Sequence, residues 1–232
     1  MGRGDKASPF LQGEHMKHVL CFGDSNTWGF IPGSGRRYDE HTRWTGVLAD
    51  ALGSDWRVHE EGLNARMSIF DSPFKGDVNT NGKDIFATVL DSQKPLDALV
   101  ICLGTNDLKY HPAWHAAQGV GRLVNYAQHV DQLNPWGEHV FRNGPRILVI
   151  SPIAVGEDLA NRDVQDDLAG KHEESRKFPQ VFAGLCAGMG VELLDAQQIA
   201  EPSQVDCIHM EPEGHRALGL AVAEKIKAMM EE

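Results

Sequence analysis

Cysteine is scarce in this chain and follows no pattern. Cys21, Cys102, Cys186 and Cys207 form no C-x-x-C pair and show no zinc-like spacing, which excludes a disulfide scaffold and a zinc ribbon. Cys21 and Cys102 lie in apolar runs and read as buried free thiols, so the expected compartment is the cytosol. Long apolar runs are missing too. None approaches the ~18–20 residues that a membrane-spanning helix needs, and Met1 to Lys17 lacks the stretch of about 7–15 apolar residues of a secretory signal. Residues 1–15 read as a flexible N-terminal extension, with 16–232 as one domain. Positive charge is in deficit: 22 Lys and Arg stand against 33 Asp and Glu, a formal net charge of −11. Such a surface repels phosphate backbones and anionic lipid, so neither nucleic acid nor a membrane is an expected partner. The chain has no G-x-G-x-x-G dinucleotide fingerprint and no G-x-S-x-G nucleophile elbow,. The run from Gly76 to Lys83 lacks phosphate-loop spacing, and Asp84 stands where Ser or Thr belongs.

What is present is an alternation. Short apolar runs over 18–22, 96–103, 145–150 and 191–194 read as strands, and the more polar stretch 56–61, ending before Gly62, reads as a further one,. Stretches with apolar residues at helical spacing follow them, over 44–52, 84–92, 113–133, 172–189 and 213–230; Gly53 and Gly190 mark two helix ends,. Residues 63–80 hold Gly, Pro, Asn and Asp and read as a long loop. Strand and helix taking turns five times predicts an α/β fold: a flavodoxin-like three-layer α/β/α sandwich on a five-stranded parallel sheet of order 2-1-3-4-5.

In such sheets ligands bind beyond the carboxyl ends of the strands. The residues there are Gly23-Asp24-Ser25-Asn26-Thr27, Gly62-Leu63-Asn64-Ala65-Arg66, Gly104-Thr105-Asn106-Asp107, Ser151-Pro152-Ile153 and, past the fifth strand, Asp206-Cys207-Ile208-His209. This set can build an acyl-transfer site. A serine hydroxyl is a poor nucleophile until a base takes its proton, and His209 is suited to that near neutral pH. Asp206, three residues earlier, can hold the ring and stabilise the imidazolium. Candidate donors to the tetrahedral oxyanion are the backbone N–H of Ser25, that of Gly62 and the side-chain amide of Asn106. Gly62 suits the task because its missing Cβ leaves room for an acyl group.

These blocks, in this order, resemble the four sequence blocks of the SGNH (GDSL-type) hydrolases. The longer stretches 20–29, 43–48 and 60–66 are similar to a bacterial branch of arylesterases that also act as acyltransferases and perhydrolases. The resemblance covers the chain from about residue 17 onward. It implies catalytic Ser25, Asp206 and His209, an oxyanion hole from Ser25, Gly62 and Asn106, no cofactor, a small ester substrate, and a homo-oligomer of up to eight chains. It also implies that Trp28, Asn64, Thr105, Ile153 and Ile208 contact the substrate. One departure is Asn26, which stands where the family has leucine; it reads as a tolerated turn residue. Asp24 and Asp107 read as loop-ordering residues, and His215 as structural. His111 and His115 are four apart with Pro112 between them and read as a surface pair, with no metal expected. The rival readings are a carbohydrate deacetylase, a lysophospholipase or thioesterase with the same triad, and a non-catalytic flavodoxin-like binding module.

Overall fold

A computed structural model describes residues 15–73, 76–133, 137–161 and 167–231, without the side chains of 160 and 161. All but the last residue of the expected N-terminal extension lies outside the described residues. Five strands, β1 (Lys17–Gly23), β2 (Trp56–Gly62), β3 (Ala98–Cys102), β4 (Ile147–Ser151) and β5 (Glu192–Asp195), pair in parallel in the order β2-β1-β3-β4-β5. This is the expected sheet. Period-2 alternation along β1 sends Leu20 and Phe22 to one face and Val19 and Cys21 to the other. Leu20 and Phe22 join a core with Phe86 and Leu90 of α3 (Gly82–Gln93), Val120 and Leu123 of α4 (Ala113–Leu133), and Phe178 and Phe182 of α6 (Phe178–Met189). Val19 and Cys21 pack with Trp44 and Leu48 of α2 (Trp44–Leu52) and with Leu218, Val222 and Ile226 of α7 (Pro212–Glu231). Each such side chain, fully withdrawn from water, contributes about 1.5–3 kcal/mol before entropy is counted. The two helices on this second face touch closely: a Cβ on Gly219 of α7 would lie 2.6 Å from the Trp44 carbonyl oxygen.

Two expected elements come out differently. The run 172–189 is two helices, α5 (His172–Ser175) and α6, with Arg176 and Lys177 between them. Pro179 explains the break. It has no N–H to donate, so it belongs in a first helical turn, where α6 places it,. The apolar run 96–103 is longer than β3. Leu96 instead bridges to Phe141, and Leu103 is buried in the loop that follows. A further one-turn helix, α1 (Ser25–Trp28), follows β1 directly.

Register sets the strand ends side by side, with Gly23 opposite both Gly62 and Cys102. The loops after β1, β2 and β3 therefore leave the sheet together.

Candidate active site

The nucleophile candidate is placed by a tight local motif. Asp24 caps α1, its Oδ1 accepting the Asn26 N–H at 3.0 Å while its carbonyl accepts those of Thr27 and Trp28 at 3.1 and 2.9 Å,. Gly29 closes the turn in the left-handed region at φ 87°, donating to the Ser25 carbonyl,. Ser25 is thus the first helical residue, 7% exposed.

The histidine arrives on a loop that organises itself. Asp206 Oδ1 accepts the N–H groups of Ile208 and His209, each at 3.0 Å. His209 Nδ1 donates to Asp206 Oδ2 at 2.7 Å, and Ser25 Oγ donates to His209 Nε2 at 2.9 Å. The carboxylate fixes the tautomer: the proton sits on Nδ1, and the Nε2 lone pair faces the serine. Burial pushes the Asp206 carboxyl up. The bonds from the His209 ring and from the backbone of His209 and Ile208 outweigh it, so the group ends below the ordinary carboxylate value,. Gly33 N–H adds a bond to Oδ2 at 3.2 Å. Phe30 stacks on the His209 ring, centroids 4.3 Å apart and planes at 26°. This arrangement can take a proton from a serine, hold it on an imidazolium beside a carboxylate, and return it.

The other half of the site lies at the ends of β2 and β3. Gly62 is the last residue of β2, and Asn106 opens a single 3-10 turn, Asn106–Lys109, with 6% of its surface exposed. The Asn106 amide donates to the Arg66 carbonyl at 3.2 Å. The space around Gly62 differs from expectation. A Cβ there would lie 2.2 Å from the Trp28 backbone nitrogen, so glycine is required for β2 to run against α1 rather than to admit an acyl group,.

The remaining expected contact residues differ in burial. Trp28 is half-buried under the Arg37 guanidinium, 5.4 Å from the ring centre. Asn64 is half-buried, and its Oδ1 has no hydrogen-bond partner among the described residues. Thr105 is buried beside Asn106. Ile153 and Ile208 are both buried, in separate apolar clusters. His111 and His115 are half-buried with ring centres 5.7 Å apart, and Phe70 stacks on His111 at 3.9 Å. Among the described residues no group of three or more His, Cys, Asp or Glu is arranged to hold a metal ion.

Sequence reasoning missed four residues. Asn26 is no turn filler: it is buried in α1 and bonded to the histidine loop. Phe30, in a loop segment passed over for Trp28, gave no signal beyond its nearness to the serine. Arg66 was one loop residue among others, yet it is buried. Its Nη1 donates to the carbonyls of Gly23, at 2.9 Å, and Glu61, and its guanidinium lies 4.2 Å over the Phe22 ring. Burial pulls it down to about 10, so it stays charged at neutral pH and ties the ends of β1 and β2 together. Ser68 donates through its backbone and its hydroxyl to Asp107. Burial pushes Asp24 up to about 6, against the Asn26 N–H and the charges of His209 and Arg66.

A model of the GDSL-like lipase/acylhydrolase family matches residues 21–217. Among solved structures, the chain is similar to Est24, a carbohydrate acetylesterase from Sinorhizobium meliloti, at 31% identity over 92% of this chain and 99% of that one, with a TM-score of 0.81. The native aryl esterase of M. smegmatis gives the same four values. A carbohydrate acetylesterase family member from Sinorhizobium meliloti is 32% identical over 94% of this chain and 100% of that one, at a TM-score of 0.83. No curated protein sequence matches the chain significantly.

Proposed function

The chain belongs to the GDSL-like lipase/acylhydrolase (SGNH) family and is a carboxylic ester hydrolase; from that premise we propose that it cleaves small aryl or short-acyl esters through an acyl-enzyme on Ser25. The observation that carries this reading is the unbroken bond chain from Asp206 through His209 to Ser25, at 2.7 and 2.9 Å. Ser25 Oγ bonds to the ester carbonyl carbon as its proton passes to His209 Nε2. Asp206 stabilises the imidazolium. The backbone N–H groups of Ser25 and Gly62 and the Asn106 amide take the oxyanion, with Asn106 turning from the Arg66 carbonyl or sharing its second amide hydrogen. Collapse breaks the bond to the leaving oxygen, which receives the proton from His209. Water then gives a proton to His209 Nε2 as its oxygen bonds to the acyl carbon, and collapse breaks the bond to Ser25 Oγ, which takes that proton back as the acid leaves. An alcohol or hydrogen peroxide in place of water yields a transferred ester or a peracid. Trp28, Asn64, Thr105, Ile153 and Ile208 border the substrate in this reading, and no cofactor takes part.

No described helix is long and apolar enough to cross a membrane. The reading includes the cytosol, supported by four unpaired buried cysteines. It also includes a homo-oligomer of up to eight chains, which sedimentation tests.

A second reading of the substrate, an acetylated carbohydrate, is supported by the two Sinorhizobium meliloti neighbours. Rates on aryl acetates, acetylated sugars and acyl-CoA separate the two. The deciding experiment for the chemistry is hydrolysis of p-nitrophenyl acetate by the wild type and Ser25→Ala. Turnover should fall by about 10³-fold or more, and equal rates would overturn the assignment.

A further inference from the structure

Asn26 stands next to the nucleophile where the family pattern has leucine, and its amide reaches across to the histidine loop. Nδ2 donates to the Ile208 carbonyl at 3.3 Å, and Oδ1 accepts the Met210 N–H at 3.1 Å. Those two backbone groups lie on either side of His209 in the chain. A side-chain amide has the donor and acceptor of a peptide unit, so this pair is the two-bond bridge that a neighbouring strand would make. Asn26, Ile208 and Met210 are all at most 9% exposed, so water cannot easily replace either bond, and losing one leaves a buried polar group unpaired.

Both ends of the bridge are stiff or need to be held. Asn26 shares a peptide plane with Ser25 inside a single turn capped by Asp24,. The opposite loop carries Cys207 at φ 62°, a left-handed conformation that a side chain disfavours,. Its other bonds are largely internal, from the N–H groups of Ile208 and His209 to Asp206 Oδ1 and from Ser203 N–H to the His209 carbonyl at 2.7 Å. Gly156 N–H reaches in to the Cys207 carbonyl at 2.7 Å. None of these refers the imidazole to the serine. Gly33 N–H on Asp206 Oδ2 and the Phe30 ring on His209 reach the loop from further along the chain, whereas the Asn26 bridge joins the residue after the nucleophile directly to the backbone before and after the base.

We infer that Asn26 is a positioning residue: its amide sets the separation of His209 from Ser25 by clamping the two backbone groups that flank the histidine. This rests on the reading of Ser25 and His209 as nucleophile and base. A leucine there fills the space but cannot bridge, so loops carrying it must be held by other contacts.

The test measures p-nitrophenyl acetate turnover by wild type, Ser25→Ala, Asn26→Leu and Asn26→Asp, with the acyl-enzyme burst counting active sites and thermal melts confirming folding. Asn26→Leu should lower kcat per active site by about 10–100-fold, the scale of a small misplacement of reacting groups, while KM stays within about twofold. Asn26→Asp keeps the shape. As an ionised carboxylate it loses the donor to Ile208, and as a carboxylic acid it regains one. Its kcat relative to wild type should therefore rise as pH is lowered. A folded Asn26→Leu with wild-type kcat overturns the inference. So does a rise in KM alone, which would make Asn26 a substrate contact. If Asn26→Leu does not fold, Asn26→Asp decides: a ratio that climbs on acidification supports the bridge, and a flat one ends it. Unchanged activity in Ser25→Ala would mark failure of the parent reading instead.

Discussion

Asp206 and Asp107 both sit in loops at the carboxyl edge of the sheet, and both accept backbone and side-chain hydrogen bonds from near neighbours. They settle on opposite sides of the ordinary carboxylate value. Asp107 is fully buried, and its donors are neutral: the Ser68 N–H and hydroxyl and its own backbone. Burial wins there and pushes it up to about 7, although the Ser68 bonds pull the other way. At Asp206 the side chain is 17% exposed and one donor is an imidazole that can carry charge. The bonds win there, and the carboxyl stays low. A carboxylate that must balance a transient cation has to remain ionised; one that only pins a loop does not.

That contrast can be broken by exchanging the roles. Asp206→Asn should lower kcat by about 10³–10⁴-fold, because the amide no longer selects the productive tautomer, while the urea midpoint of unfolding moves little. Asp107→Ala should do the reverse. It leaves the buried Ser68 N–H and hydroxyl without their acceptor, a loss of about 2–4 kcal/mol in stability, with kcat per folded site within about tenfold. An Asp107 variant as inactive as Asp206→Asn at an unchanged midpoint would dissolve the distinction. A smaller effect tests how much of the histidine loop's order is aromatic. Phe30→Ala removes the ring stacked on His209 and should reduce kcat about 2–10-fold, the range of a single aromatic contact, read by steady-state kinetics. An unchanged kcat would leave the polar bonds as the whole explanation.

The smallest expected effect lies on the β1–β2 pair away from the site, where His59 Nε2 and His18 Nδ1 are 3.2 Å apart. Burial, with His18 and Arg57 adding to it, holds His59 down at about 4. The unfolded chain takes up that proton near 6.5 and the folded chain only near 4, so this group subtracts stability as pH falls across that window and is neutral above it,. The melting temperature of His59→Gln relative to wild type should therefore rise between about pH 6.5 and 4 and be flat above. A difference independent of pH would show that the imidazole pair does not titrate in this way.

The central strands were legible as apolar runs ending at a glycine or a polar turn, and the sheet order followed from five strands alternating with helices; β2, which carries Arg57, His59, Glu60 and Glu61, was legible from its place in that alternation. Ser25, Asp206 and His209 were legible because their types and strand-end positions have one obvious joint use. What stayed hidden depends on partners distant in the chain. Nothing near Arg66 says that it will be buried over Phe22 against two carbonyls, and nothing near Asn26 says that residues 208 and 210 will lie opposite. The break between α5 and α6 was readable in principle, since Pro179 cannot sit inside a helix without cost. The reason glycine is needed at position 62 was not, because the clash it avoids is with the backbone of α1.

The serine and the histidine stand 184 positions apart, and the histidine loop leads straight into α7, which seats on α2 through Gly219 and a bond from Lys227 Nζ to the Ala51 carbonyl at 2.8 Å. During synthesis the serine turn therefore emerges long before the histidine that it faces. A polypeptide stopped between the fifth strand and residue 209 would carry the sheet strands and the serine without that partner, and on the proposed reading it would be silent.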